Sequence, residues 1–154
     1  MSSADLHLDR LPKRGQPQRL PEAVPGELGM VLVDATWGTI TPIELAPGVR
    51  TVGELEVLDH IRAGGRVIDT RIPEYLGGGM IPTAVWVAHG EIAERQGELD
   101  PEGPTVLYCN GPQCAATPDA ISSLLDAGVA PERLWFYRGG VHDWVTLGLP
   151  LVGG

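Results

Sequence analysis

The fold and its candidate chemistry are both set by the stretch Thr105-Val106-Leu107-Tyr108-Cys109-Asn110-Gly111-Pro112-Gln113-Cys114-Ala115-Ala116-Thr117. Residues 105–108 are apolar and predict a buried strand, whereas 118–127 have helical spacing of apolar residues. A short loop with Gly and Pro joins them and starts at Cys109. Loop amides and a helix N-terminus stabilise an anion, so this arrangement favours a reactive thiolate. The alternative is an inert buried thiol at a strand end.

Outward from this stretch, short strands and helices alternate. We predict strands over 30–34, 39–44, 67–69, 84–87 and 134–137. Thr51 to Glu54 has the pattern of a capping box and predicts a helix start, while Gly64-Gly65 predicts its end and 90–96 a short helix. Such alternation indicates a parallel sheet covered on both faces, with ligands bound outside the carboxyl ends of its strands. Cys109 is expected at such an end.

Composition excludes several classes of protein. The 154 residues suit one domain, and the net charge of −9 argues against nucleic acid and anionic membranes as partners. Lys13 is the only lysine and follows no glycine-rich loop, so a phosphate-binding loop of the nucleotide-binding type is excluded. No apolar run reaches the ~18 residues of a membrane span. Residues 1–19 lack the apolar core of a secretory signal, so a cytoplasmic location is expected.

Residues 49–152 resemble a rhodanese-like (sulfurtransferase) domain. Four segments carry the resemblance in order: Val67-Ile68-Asp69-Thr70-Arg71, then Ile81-Pro82-Thr83-Ala84, then Tyr108-Cys109 with its loop, then Arg138-Gly139-Gly140-Val141-His142-Asp143-Trp144 with Gly148-Leu149-Pro150. Thr83 stands where the family usually has Gly. The resemblance implies an α/β fold with a central parallel five-stranded sheet and helices on both faces. It leaves 1–28 as a disordered tail and 29–48 as an extension that packs on the domain.

The resemblance also implies a function. Cys109 would be the nucleophile that takes sulfur from a donor such as thiosulfate, becomes a persulfide and passes the sulfur to cyanide or a thiol. The loop would bind the anionic donor and Arg138 would supply a positive charge, with no metal or organic cofactor. The implied partners are this small-molecule donor and acceptor, with a protein of a sulfur relay as a further possibility. The implied donor-binding residues are Asn110, Gly111, Pro112, Gln113, Cys114, Ala115 and Arg138.

Several alternatives stay open at this level. A non-catalytic binding or regulatory module, and a persulfide carrier in a relay, share the same sequence features. A phosphatase of this architecture would need Arg six positions after the cysteine, where Ala115 stands. Cys114 is either a resolving thiol or a small packing residue. A metal site is not expected, since the histidines are scattered at His7, His60, His89 and His142.

Overall fold

The computed structural model describes residues 8–10, 21–32 and 38–153. The strands are β1 (Glu22–Ala23), β2 (Val31–Leu32), β3 (Arg50–Val52), β4 (Val67–Asp69), β5 (Val85–Trp86), β6 (Thr105–Tyr108) and β7 (Leu134–Tyr137). The α-helices are α1 (Glu54–Arg62), α2 (Ala116–Asp126) and α3 (Gly140–Thr146). Short 3₁₀ helices lie at Pro73–Tyr75, His89–Glu94, Gln96–Glu98 and Pro131–Arg133.

Five strands form one parallel sheet in the order β3-β7-β6-β4-β5. Strand β6 lies at the centre, with Tyr108 opposite Tyr137 of β7 and Asp69 of β4. Parallel strands place their carboxyl ends at one edge, so the residues that follow β4, β6 and β7 meet there. The predicted fold class is confirmed, and Cys109 directly follows the central strand.

Helices cover both faces of this sheet. On one face, α2 and the 3₁₀ helix His89–Glu94 pack over the sheet, and the buried cluster there includes Leu107, Ile121 and Leu124. On the other face, α1 and α3 pack around a second buried cluster that includes Val57 and Trp144. Strand β6 is buried on both sides, which explains why its sequence is mostly apolar and contains no charged residue. The aliphatic clusters on the two faces therefore fix the position of the carboxyl end of β6 and of Cys109, which follows it.

The predicted start of the first helix is wrong. Residues 50–52 form the edge strand β3 rather than a helix start, and Thr51 pairs with Phe136 of β7. The N-cap of α1 is Gly53, whose amide donates to the Glu56 side chain at 3.1 Å. The capping residue therefore lies two positions later than predicted, because pairing with a distant strand takes Thr51 into the sheet.

The region before the domain agrees only partly with prediction. Strands β1 and β2 form an antiparallel hairpin, which matches the start of the strand predicted over 30–34. Residues 39–44 form no strand, and the amide of Thr41 instead donates to a loop carbonyl of the domain. The predicted tail falls largely on 1–7 and 11–20, which lie outside the described residues. Among the described residues, no helix combines the length and the hydrophobicity of a bilayer span.

Candidate active site

Cys109 lies at the carboxyl end of the central strand and is almost fully buried, with 2% of its surface exposed. The amide of Thr117, in the first turn of α2, donates to its Sγ at 3.5 Å. The same Sγ lies 3.6 Å from the carbonyl oxygen of Cys114. Burial raises the pKa of Cys109, the neighbouring Cys114 thiol raises this pKa further, and Thr117 opposes the rise. The sulfur therefore lies against the N-terminus of α2, but the predicted preference for thiolate is wrong for the reduced loop, because burial raises the pKa of Cys109 more than the Thr117 amide lowers it.

The Thr117 side chain belongs to a buried layer beneath the loop. Its hydroxyl lies 2.8 Å from the hydroxyl of Thr70, which donates to the carbonyl of Tyr108 at 3.0 Å. The amide of Thr70 donates to the same carbonyl at 2.9 Å. The ends of β4, β6 and α2 are thereby tied together directly under Cys109. Sequence reasoning missed Thr117, and its only signal was a position within the first turn of the predicted helix.

The start of α3 anchors the first two loop carbonyls. The amide of Val141 donates to the Cys109 carbonyl at 3.1 Å, and that of His142 donates to the Asn110 carbonyl at 2.8 Å. Gly140 permits this approach, because its φ is +60° and a Cβ there would overlap the Cys109 and Asn110 backbone. In a trans peptide the C=O and the following N–H point in opposite directions. Because the carbonyls of Cys109 and Asn110 point toward α3, the amides of residues 110 and 111 point in the opposite direction, into the loop.

A buried ion pair supports the neighbouring strand end. The Arg71 guanidinium donates to Asp69 through Nε at 3.0 Å and Nη2 at 2.8 Å, and both side chains are fully buried. Arg71 also donates to the carbonyls of Tyr75 and Gly79, at 2.6 Å each. The Tyr108 hydroxyl donates to Asp69 at 2.6 Å, and burial together with this carboxylate raises the pKa of Tyr108. Arg71 is therefore a scaffold residue, held by its ion pair with Asp69.

Cys114 occupies a different environment in the same loop. Its thiol hydrogen-bonds with that of Cys109, and the amides of Ala116 and Asn110 donate to its sulfur. The hydrogen bond with Cys109 lowers the pKa of Cys114 to about 6, burial opposes this fall, and the two amides and the charge of His89 support it. Both cysteines are reduced. The amides expected around the Cys109 sulfur are thus shared with a second sulfur.

Two cavities flank the loop, and Cys114 lines both. The larger cavity has a volume of about 410 Å³ and is bounded by the loop, the start of α2 and the segment after β4. Its lining residues are Arg71, Ile72, Tyr75, His89, Asn110, Cys114, Ala115, Ala116 and Asp119. The smaller, of about 30 Å³, is lined by Gly38, Asn110, Gly111, Pro112, Gln113, Cys114 and His142. Of the predicted site residues, all but Cys109 and Arg138 therefore reach a cavity surface.

At the mouth of the larger cavity, His89 and Asp119 form a side-chain pair. His89 Nδ1 lies 2.6 Å from Asp119 Oδ2, and both side chains are partly exposed. His142 lines the smaller cavity. The structure places both histidines beside the loop. His60 contacts the Arg66 carbonyl, and no group of three metal-ligating side chains clusters within the described ranges.

The segment before the domain lies against the outer side of the loop. The Thr41 amide and hydroxyl donate to the Pro112 carbonyl at 2.8 and 2.9 Å. The Gly38 amide and Arg10 donate to the Gln113 side chain. The Arg138 guanidinium donates to the Thr41 carbonyl through Nε at 3.0 Å and Nη2 at 2.8 Å. Arg138 thus holds this segment in place and lines neither cavity, so its contact with a donor stays a prediction.

Comparison with known families decides the affiliation of the chain. Residues 54–147 match the model of the rhodanese-like domain, which covers more than half of the sequence. The chain belongs to the rhodanese-like domain family. The resemblance found in the four sequence segments is therefore confirmed.

Named relatives and solved structures extend this result. The chain is 36% identical over 97 residues to an HTH-type transcriptional regulator of Mycobacterium tuberculosis, covering 62% of this chain but 42% of that protein. It is 31% identical over 86 residues to a sulfurtransferase of Allochromatium vinosum, covering 56% of this chain and 77% of that one.

A thiosulfate sulfurtransferase structure from Pseudomonas aeruginosa aligns at a TM-score of 0.55 and 26% identity, over 69% of this chain and 20% of that one. A Bacillus halodurans protein at 23% identity, TM-score 0.59, over 68% of this chain and 77% of that one, shares the rhodanese fold.

Proposed function

We propose that this chain is a sulfurtransferase that carries sulfane sulfur on Cys109. The donor is an anion such as thiosulfate, and the acceptor is cyanide or a thiol. One observation carries the proposal: Sγ of Cys109 lies at the end of the central strand, where the Thr117 amide of α2 donates to it at 3.5 Å. A sulfurtransferase among the relatives supports the same chemistry.

The reaction has two displacement steps. In the first, the Cys109 thiolate attacks the outer sulfur of thiosulfate. The S–S bond of the donor breaks, and sulfite leaves with the electron pair of that bond. In the second step, cyanide or a thiolate attacks the outer sulfur of the Cys109 persulfide, and the thiolate of Cys109 is restored. No net oxidation of the protein occurs when the acceptor takes up the sulfur.

The loop supports this chemistry through its backbone. Amides of residues 110–115 are proposed to hold the anionic donor and the persulfide, because the carbonyls of Cys109 and Asn110 are tied back by α3. The loop contains no Lys or Arg, so positive charge has to come from outside it. Arg138 remains our proposed source; it directly follows the end of β7 and donates to the Thr41 carbonyl. A reducing compartment such as the cytoplasm suits a site with two free thiols.

The experiment compares the wild type with Cys109→Ser. With thiosulfate as donor and cyanide as acceptor, we expect transfer by the wild type and a loss of this transfer in the variant by about 10³-fold or more. Ser122→Ala, on an exposed position of α2, is the matched control and should retain activity. Circular dichroism verifies that the variants are folded. Transfer that survives in Cys109→Ser contradicts the proposal.

A second candidate function is a non-catalytic regulatory module. It is favoured by the similarity to a transcriptional regulator, of which this chain spans 42%. A folded wild type that takes no sulfur from any donor, and that binds a partner protein equally well as Cys109→Ser, would support the module. A third candidate, a relay carrier, shares Cys109 and differs only in its donor. Faster loading by a cysteine-desulfurase persulfide than by thiosulfate would favour the carrier.

A further inference from the structure

The two cysteines of the loop are in direct contact, although five positions separate them. Their thiols share a hydrogen bond, and Cys109 Sγ lies 3.6 Å from the Cys114 carbonyl. A turn within the loop produces this contact, because the Cys114 amide donates to the Gly111 carbonyl at 3.0 Å. The two thiols are thus neighbours, and a disulfide between them requires both side chains to rotate toward each other. The loop is therefore built in a way that allows a Cys109–Cys114 disulfide.

The Cys114 sulfur is also the one prepared to act as a thiolate. The amides of Ala116 and Asn110 point at it, and its thiol hydrogen-bonds with Cys109. The His89–Asp119 pair lines the same cavity as Cys114, and the charge of His89 favours the anionic sulfur. A packing residue would need none of these donors. A thiolate next to a sulfur that carries a persulfide is the arrangement required for thiol–disulfide exchange.

We propose that Cys114 is a resolving thiol that releases the sulfane sulfur as hydrogen sulfide. This proposal rests on persulfide formation at Cys109. The Cys114 thiolate attacks Sγ of the Cys109 persulfide, and a Cys109–Cys114 disulfide bond forms. The bond between Cys109 Sγ and the sulfane sulfur breaks, and the sulfane sulfur leaves with the electron pair and the persulfide proton as hydrosulfide. The two cysteines are oxidised by two electrons, and the sulfane sulfur is reduced by two.

Turnover then requires reduction of the disulfide. Two equivalents of a low-molecular-weight thiol, or one dithiol, supply the electrons by exchange through a mixed disulfide. Cys114 lines both cavities, so the external thiolate reaches its sulfur first and Cys109 is the leaving group. The sum of the steps converts thiosulfate and two thiols into sulfite, hydrogen sulfide and a disulfide. The chain would thus be a thiol-dependent sulfide-releasing enzyme, beyond simple transfer.

The test is a single-turnover experiment on the full chain. The experiment compares four reduced proteins: the wild type, Cys114→Ser, Cys109→Ser and Ser122→Ala. Each is freed of reductant and treated with thiosulfate in the absence of oxygen. Samples without donor serve as controls. Intact mass and released sulfide are measured. We expect the wild type and Ser122→Ala to lose about 2 Da and release about one sulfide per chain, with a 109–114 cross-linked peptide. Cys114→Ser should instead gain about 32 Da, keep it, and release no sulfide until thiol is added.

Each other result overturns a defined part of the scheme. A wild type that keeps a gain of about 32 Da and forms no disulfide overturns the resolving role but leaves sulfur transfer by Cys109 standing. This wild-type measurement decides the matter even if Cys114→Ser does not fold. A stable gain of sulfur on Cys114 in the Cys109→Ser protein overturns the assignment of Cys109. A wild type that changes in neither mass nor sulfide overturns the proposed function together with the resolving role.

Discussion

Cys109 and Cys114 belong to one loop but differ in their surroundings. Cys109 is 2% exposed and Cys114 is 6% exposed, so both are buried by area. The polar groups around them differ: the Thr117 amide donates to the first sulfur, whereas the amides of Asn110 and Ala116 and a hydrogen bond with Cys109 stabilise the second. Because burial is the largest influence on the pKa of Cys109, whereas the hydrogen bond with Cys109 outweighs burial at Cys114, Cys114 is the thiol that loses its proton first.

Alkylation of the resting protein tests this order. The pKa of Cys114 is about 6, so below that pH its sulfur is a protonated, slowly reacting thiol and above it a thiolate. We expect the rate of Cys114 labelling by iodoacetamide to rise with a midpoint near this value, while Cys109 is labelled more slowly because its pKa is raised. Peptide mass mapping across pH measures both rates. Earlier labelling of Cys109, or a Cys114 midpoint near the ordinary thiol value of about 8.5, would contradict the prediction.

At the scale of elements, the turn from β7 into α3 controls the loop after β6. Gly140 has a left-handed φ of +60° and lies against the backbone of Cys109 and Asn110. This contact lets the α3 amides reach the loop carbonyls, which turns the loop amides inward. The Gly-Gly sequence that carries part of the family resemblance therefore has a local physical role. It places one helix close enough to orient the backbone of another segment.

Gly140→Ala tests this role against Gly148→Ala. Both glycines have positive φ, but a Cβ at Gly148 meets open space, whereas a Cβ at Gly140 meets the loop backbone. We expect Gly148→Ala to lower the free energy of unfolding by about 1 kcal/mol from backbone strain alone. Gly140→Ala should lower it by roughly 2–4 kcal/mol and slow persulfide formation. Chemical denaturation and loading kinetics measure both effects; equal losses in the two variants would contradict a role in the loop.

How far the sequence predicts the elements depends on how local their signals are. Strands β4, β6 and β7 have their predicted bounds, because each is a short, mostly apolar run that is largely buried. Strand β3 was missed, since its pairing with β7 is distant in sequence and its residues also fit a capping pattern. The loop cysteines were identified from local order. The role of Thr117 and the contacts of residues 38–41 were not predicted, because no local sequence pattern encodes them.

Over the whole molecule, the negative net charge disfavours the binding of an anionic sulfur donor. The net charge is −9, and residues 49–154 have seven arginines against fourteen acidic residues. An anionic donor therefore approaches a negatively charged protein, and only local amides and nearby cations favour its binding. Asp119 at the mouth of the larger cavity adds to this repulsion beyond its pairing with His89. Loading by anionic donors should thus depend on ionic strength.

Salt provides the test at this scale. Raising ionic strength from about 0.01 to 0.15 M shortens the screening length from about 30 to about 8 Å. We expect the second-order rate of Cys109 loading by thiosulfate to rise by roughly two- to fivefold, because repulsion between like charges is screened. A neutral organic polysulfide donor is the control and should show no such rise. A rate that falls with salt would show instead that local cations such as Arg138 control the approach of the donor.

The contacts of Thr41 with Pro112 and Arg138 also bear on where this domain can be cut. The family match begins at residue 54, whereas Thr41 donates twice to the Pro112 carbonyl and accepts from Arg138. A fragment trimmed to the matched residues would leave the Pro112 carbonyl and the Arg138 guanidinium without these bonds. A transplanted or fused domain that is meant to keep the geometry of its loop should therefore begin no later than Gly38.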